Sequence, residues 1–271
     1  MAGNAENTSG EMTFWDHLDA LRGVMLKAIA VFVAVAAGLF VFMPEIFNNV
    51  VLAPCTPGFA TYRFLERLSA LWPGAFDAPA AGFSVELVNY QLASQFFIHM
   101  SMTCWLALVL SFPVVIYIFW TFIKPGLYPR ERCGASTAFM FGVVMFYLGV
   151  AAGYYLVFPL TVRFLADYQL SDLVPNVISL DSYTDTFVTI VFLMGVVFEL
   201  PLLAWLLGRM GLLTRRFFSL YRRHAIVALM ILAAVITPTG DPFTLFAVFI
   251  PIYLLWEFSA MLVPKSVPTD D

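Results

Sequence analysis

Charge is what this 271-residue chain has least of. Only 12% of its residues are Asp, Glu, Lys or Arg, and 61% are hydrophobic; an ordinary soluble domain carries about 25% charged residues. With 28 Phe among those apolar residues, too little polar surface is left to cover a water-soluble fold, and a soluble class is excluded. A basic balance is lacking too. The formal net charge is -4, and no basic stretch is interleaved with aromatics, which excludes nucleic acid as a partner. Cysteine is scarce: Cys55, Cys104 and Cys133 lie far apart with no metal-ligand spacing, and Cys104, inside an apolar run, reads as a small buried thiol. The three histidines, His17, His99 and His224, fall in separate segments and read as ordinary helix-end or interfacial groups. No Gly-rich phosphate loop is present, since GVVFE and GVAAG carry no lysine and sit inside apolar runs. Acids or histidines clustered at one depth are also missing. Together these absences argue against an enzyme, a cofactor and a metal. VLAPC at 51–55 faintly resembles a lipoprotein cleavage box, but Pro54 directly before Cys55 and the distance from the N-terminus argue against lipidation.

What the chain does have is length of apolar sequence. Six runs stand out, roughly 24–43, 96–123, 137–162, 187–208, 224–237 and 243–263, judged against the ~20 residues that a spanning helix needs. The first is too long for a signal peptide and lacks a small-residue cleavage site, so it reads as a retained span. The expected fold is an all-α integral membrane protein of six transmembrane helices. It forms a single membrane domain over 1–271: a cytoplasmic segment 1–23, a bundle 24–263 and a tail 264–271. The second run is long enough to tilt, with Pro113 placed to bend it. Gly149-x-x-x-Gly153 in the third lets a neighbouring helix approach closely, and packing inside the bundle is its expected use. The fifth run is too short for ~30 Å of hydrocarbon, and Thr237-Pro238-Thr239-Gly240-Asp241-Pro242 then turns the chain. It either spans a thinned bilayer or re-enters.

Lys and Arg fix an orientation. One set of flanks holds Arg22, Lys27, Lys124, Arg130, Arg132, Arg209, Arg215, Arg216, Arg222, Arg223 and Lys265; the other holds only Arg63, Arg67 and Arg163. The positive-inside rule then puts both termini in the cytoplasm. The first outer loop, 44–95, is longer than most connections. Within it, YRFLERLSALW puts Phe64, Leu65, Leu68, Leu71 and Trp72 on one helical face, an amphipathic helix lying on the membrane or capping the bundle.

Four polar features interrupt this pattern. Glu199 is the single charge inside 187–208, and a carboxylate near a bilayer centre costs roughly 2.5–3.5 kcal/mol on insertion scales. Pro201, two residues on, frees a carbonyl about a turn earlier. A structural Glu bonded to a neighbouring helix is the plain alternative to a functional one. Glu257 is a second intramembrane acid, closer to the cytoplasmic end. FWDHLDALRGVMLK (14–27) carries an apolar face of Phe14, Leu18, Leu21 and Met25, with Asp16, Asp19 and Arg22 off it. FIKPGLYPRERCG (122–134) holds Glu131 between Arg130 and Arg132.

In series, FWDHLDALR, SFPVVIYIFWTFIKPGLYPRER, YYLVFPL, MGVVFELP, TPTGDPF and IPIYLLWEF resemble the TatC family, the multispanning subunit of the twin-arginine protein translocase. The order and spacing of the motifs carry the resemblance, from Phe14 to about Val263. It implies a concave, glove-like bundle with short fifth and sixth helices, in the bacterial inner membrane. It also implies recognition of twin-arginine signal peptides on folded cargo, assembly with TatA/TatB-type single-span partners and with further copies of itself, contact with membrane lipids, and export driven by the proton-motive force. The implied signal-peptide surface comprises Glu131, Arg132, Arg22 and Phe122. Ala20 stands where the family usually has Glu, which brings in the adjacent Asp19 as a substitute. The implied intramembrane and partner-docking positions are Glu199, Glu257, Asp241 and the outer-loop Pro54. A proton-coupled small-molecule transporter is the main rival. Interrupted helices suit it, but the two halves show no internal repeat. An inert scaffold leaves the intramembrane acids without explanation.

Overall fold

The computed structural model describes residues 14–71, 85–123, 129–171 and 176–263. Its helices follow the apolar runs. Helix α1 (Phe14–Ile46) joins the polar N-terminal segment and the first span without a break, and a π turn (Phe47–Val51) ends it shortly after Pro44. Helix α2 (Ala60–Leu71) follows, then α3 (Ser94–Ile123), which contains Pro113. The third run becomes α4 (Pro129–Ala152), a π turn (Gly153–Val157) and α5 (Phe158–Asp167). The fourth splits into α6 (Leu180–Val197) and α7 (Leu200–Arg209). A short α8 (Arg215–Leu220) leads into α9 (Arg222–Ile236) and α10 (Pro242–Leu262). Among the described residues the β structure is one two-residue parallel pairing of β1 (Leu87–Val88) with β2 (Ile178–Ser179), on the loops at one end.

The fold is helical throughout its bulk, as the sequence requires. Among the described residues five helical stretches, beginning at Asp19, Ser94, Ala138, Leu180 and Pro242, are long and apolar enough to cross a membrane. Helix α9 is not among them. Its 15 residues reach only about 22 Å. The 21 residues of α10 make it the next shortest, so the two C-terminal spans are the short ones.

Close helix contacts follow small residues. A Cβ on Gly149 of α4 would stand 2.5 Å from the Met194 carbonyl oxygen and 2.8 Å from the Gly195 Cα of α6. The small-xxx-small face is therefore consumed inside the bundle, as expected. The core runs through Met102, Phe146, Phe158, Ile190, Met194, Ile236 and Ile252, all essentially without exposure.

One end of the bundle is tied by tyrosines. The Tyr183 hydroxyl donates to the Val51 carbonyl at 2.6 Å, Tyr154 to Val50 at 2.8 Å, and Tyr62 to Pro54 at 2.9 Å and Pro159 at 3.1 Å. Three of these carbonyls lie in or just after the π turn of α1. A π turn changes the i→i−4 ladder, and here side chains from α2, the second π turn and α6 meet the carbonyls around it. Ser94 and Asp181 hydrogen-bond at the same end, joining the starts of α3 and α6. His99 of α3 bonds the Phe40 carbonyl of α1 at 3.0 Å and lies against its ring, the ordinary interfacial role expected for it.

Candidate functional site

The fourth span stops at Glu199 for a local reason. Pro201 has no N–H to give the Val197 carbonyl. The chain answers with a tight turn: Glu199 N–H bonds the Val196 carbonyl at 3.1 Å, and helix resumes when Leu203 N–H bonds the Glu199 carbonyl at 3.0 Å. Glu199 thus sits between α6 and α7, ten residues before Arg209, about 15 Å along a helix.

Its carboxylate lies over Gly142 of α4. A Cβ there would be 3.1 Å from Oε2 and 2.7 Å from Leu202 Cδ2. Glu199 is half-buried, and its Oε1 is buried with no hydrogen-bond partner among the described residues. A buried polar oxygen left unpaired costs about 1–3 kcal/mol, more when charged. Among the described residues the site therefore holds an open valence inside the bundle that a further polar group would satisfy. Sequence reasoning missed Gly142, although Gly142, Gly149 and Gly153 recur at helical spacing along one face of the third span.

Glu257, the second intramembrane acid, is satisfied within the chain. It accepts from Arg222 Nη2 at 2.8 Å and from the Tyr253 hydroxyl at 2.9 Å. That network fastens the start of α9 to the end of α10. The sequence contained both partners, and Tyr253 stands at the helical i−4 spacing, but Arg222 is distant in sequence and gave no signal.

Asp241 caps α10. Its Oδ1 accepts from Thr244 N–H at 2.7 Å, and its Oδ2 accepts from the Thr239 hydroxyl at 2.6 Å. Burial works against the charged carboxylate, but these hydrogen bonds outweigh it and hold Asp241 below the usual Asp value. Gly240, at φ 62°, supplies the left-handed turn before the cap. Pro54 is buried, and its carbonyl takes the Tyr62 hydroxyl.

The remaining candidates gather at the opposite end of the bundle from Pro54 and Asp241. Asp19 and Arg22 are exposed one turn apart near the start of α1, and Ala20 between them is half-buried. Phe122 is half-buried at the end of α3. The backbone of Glu131 and Arg132 lies at the start of α4; their side chains, like the Lys124 side chain of the connecting loop, fall outside the described residues. The fold thus brings the expected recognition elements to one end, and it keeps Glu199 apart from them, inside the bundle. Among the described residues no group of His, Cys, Asp and Glu has the arrangement of a metal site.

Comparison with known proteins gives consistent matches along most of the chain. A family model described as "Sec-independent protein translocase protein (TatC)" covers residues 16–251. A Sec-independent protein translocase protein TatC of Blattabacterium sp. subsp. Periplaneta americana (strain BPLAN) is 31% identical over 256 residues, 94% of this chain and 96% of the relative. One from Deinococcus radiodurans is 39% identical over 178 residues, 66% of each chain. Among solved structures, one described as "Crystal Structure of Twin Arginine Translocase Receptor- TatC" superposes with a TM-score of 0.68 at 26% identity, over 91% of this chain and 97% of that one.

Proposed function

Because this chain belongs to the TatC family of Sec-independent protein translocase proteins, we propose that it is the receptor subunit that reads twin-arginine signal peptides of folded cargo. As a family member it is a multi-pass inner-membrane translocase component and not an enzyme. The finer reading has two parts, divided as the geometry divides. Recognition takes place at the end of the bundle that carries Asp19, Arg22, Phe122, Glu131 and Arg132. Docking of a TatA/TatB-type single-span partner takes place in the concavity around Glu199, within a frame held by Glu257, Asp241 and Pro54. The proton-motive force drives the transport that follows.

One observation carries the docking half: the buried Glu199 Oε1 has no partner among the described residues. For recognition, the support is chemical. Consecutive arginines need carboxylates in fixed geometry, since guanidinium pairs bidentately with carboxylate, and Glu131 lies in the loop-to-helix segment on the positively flanked side. Ala20 gives no such acceptor, so Asp19 and Glu131 share the task.

The test is co-isolation. The purified full-length protein is expected to retain a twin-arginine signal peptide and to lose it when both arginines become lysines. Glu131→Ala should abolish that retention and export of twin-arginine cargo while insertion persists, and Glu131→Asp should be milder. Equal retention of the Lys-Lys peptide, or normal export by Glu131→Ala, would sink the recognition reading.

A further inference from the structure

The corner joining α7, α8 and α9 has a surface that neither cargo recognition nor partner docking uses. Arg209, Arg215, Arg216, Arg222 and Arg223 are all exposed there. Among the described residues there are two ion pairs, Arg163–Asp167 and Arg222–Glu257. Four guanidiniums of the corner are therefore exposed and pair with no described carboxylate, although Arg209 lies over the Trp205 ring at 5.1 Å. Exposed Met210, Leu212, Phe217, Leu220 and Tyr221 stand among them. Water alone does not suit a surface of free cations interleaved with large apolar side chains. A surface that meets phosphates and acyl chains together does.

The length of α9 fixes the depth of this corner. Arg222 and Arg223 begin a helix of 15 residues, about 22 Å long, against ~30 Å of hydrocarbon. The turn at 237–241, with its exposed Pro238, Thr239 and Gly240, pulls toward water at the far side. The arginine end is then drawn down to the headgroup layer of its own leaflet and cannot stand clear of it.

We propose that the Arg209–Arg223 corner binds anionic phospholipids of that leaflet, the guanidiniums on headgroup phosphates and the apolar side chains on the acyl region below. Each cation near an anionic surface is worth roughly fivefold in affinity. Arg222 is excluded from the set, since Glu257 already holds it.

The purified full-length protein, in nanodiscs of phosphatidylcholine with and without phosphatidylglycerol, tests this by native mass spectrometry of retained lipid. Wild type is expected to retain phosphatidylglycerol preferentially and to melt at a higher temperature with it. The R209Q/R215Q/R216Q/R223Q variant should lose that preference by roughly several hundredfold. The corresponding four-lysine variant should keep most of it, because point charges still attract phosphate, and it reports on the site even if the glutamine variant folds poorly. R63Q/R67Q, at the opposite end, should behave as wild type. Equal retention of the two lipids by wild type overturns the proposal. So does an undiminished preference in the folded glutamine variant, or stabilisation by inorganic phosphate in detergent equal to that by phosphatidylglycerol. Capture of an acidic protein segment that phosphatidylglycerol does not displace would assign the corner to a protein partner instead.

Discussion

Glu199 and Gly142 act as one feature. The absence of a side chain at Gly142 leaves the room that the Glu199 carboxylate occupies, and the turn before Pro201 aims the carboxylate there. The open valence on Oε1 is a hydrogen-bonding property before it is a charge property, which separates two substitutions. Glu199→Gln keeps an acceptor and adds a donor, and it should keep most export activity. Glu199→Ala removes both. A hydrogen bond contributes about 0.5–1.5 kcal/mol net, so partner docking should weaken by roughly two- to tenfold, read as weakened crosslinks from positions beside Glu199 to partner helices. Wild-type export and crosslinking by Glu199→Ala would remove Glu199 from the docking role. Glu257 makes a contrast at the same scale. Its bonds to Arg222 and Tyr253 already satisfy it, so its substitution should loosen the α9–α10 hairpin and leave the Glu199 site unchanged.

At the scale of elements, glycine decides which helices touch. The Gly149 contact is with α6 backbone, 2.5 Å from the Met194 carbonyl oxygen and 2.8 Å from Gly195 Cα, and backbone cannot rotate aside as a flexible side-chain end can. Even Gly149→Ala must push α4 and α6 apart. Overpacking of this kind typically costs 1–3 kcal/mol. A thermal melt of the detergent-purified variant should fall by several degrees, while Gly38→Ala, with nothing within 4 Å of its Cβ, should sit close to wild type. An unchanged melt for Gly149→Ala would mean that the crossing is looser than this geometry. The small-residue spacing was legible in the sequence, because 149 and 153 share a helix face. Which helix that face meets was not legible, since pairing depends on topology and not on local spacing. The same limit applied to the tyrosines. Tyr62, Tyr154 and Tyr183 carry no local sequence signal of their role, and only the fold brings them around the end of α1. Pro201 was partly legible: its missing donor implied a freed carbonyl a turn earlier, but not that the helix would stop and resume at Glu199.

For the molecule as a whole, charge is divided between two ends. Glu45, Glu66, Glu86, Asp167, Asp181 and Asp185 share one end with the tyrosine ties and the β pairing, and the arginine-rich corner shares the other with the start of α1 and the end of α3. This division was readable from the sequence because it depends only on where apolar runs begin and end. The number of crossings was less readable, because α9 falls below spanning length and a hairpin that re-enters would leave every loop charge on the same side. Three single cysteines, in a background lacking Cys55, Cys104 and Cys133, separate the cases. Position 67 lies in α2, position 216 in α8 and position 239 in the exposed turn between α9 and α10. With six spans and both termini cytoplasmic, a membrane-impermeant maleimide added to intact cells should label 67 and 239 and spare 216 until the membrane is opened. Labelling of 216 with protection of 67 would invert the orientation. Labelling of 67 alone, with 239 reached only after permeabilisation, would make the last two helices a re-entrant hairpin. The lipid-bound corner would then have to be explained without the pull that a short crossing helix exerts.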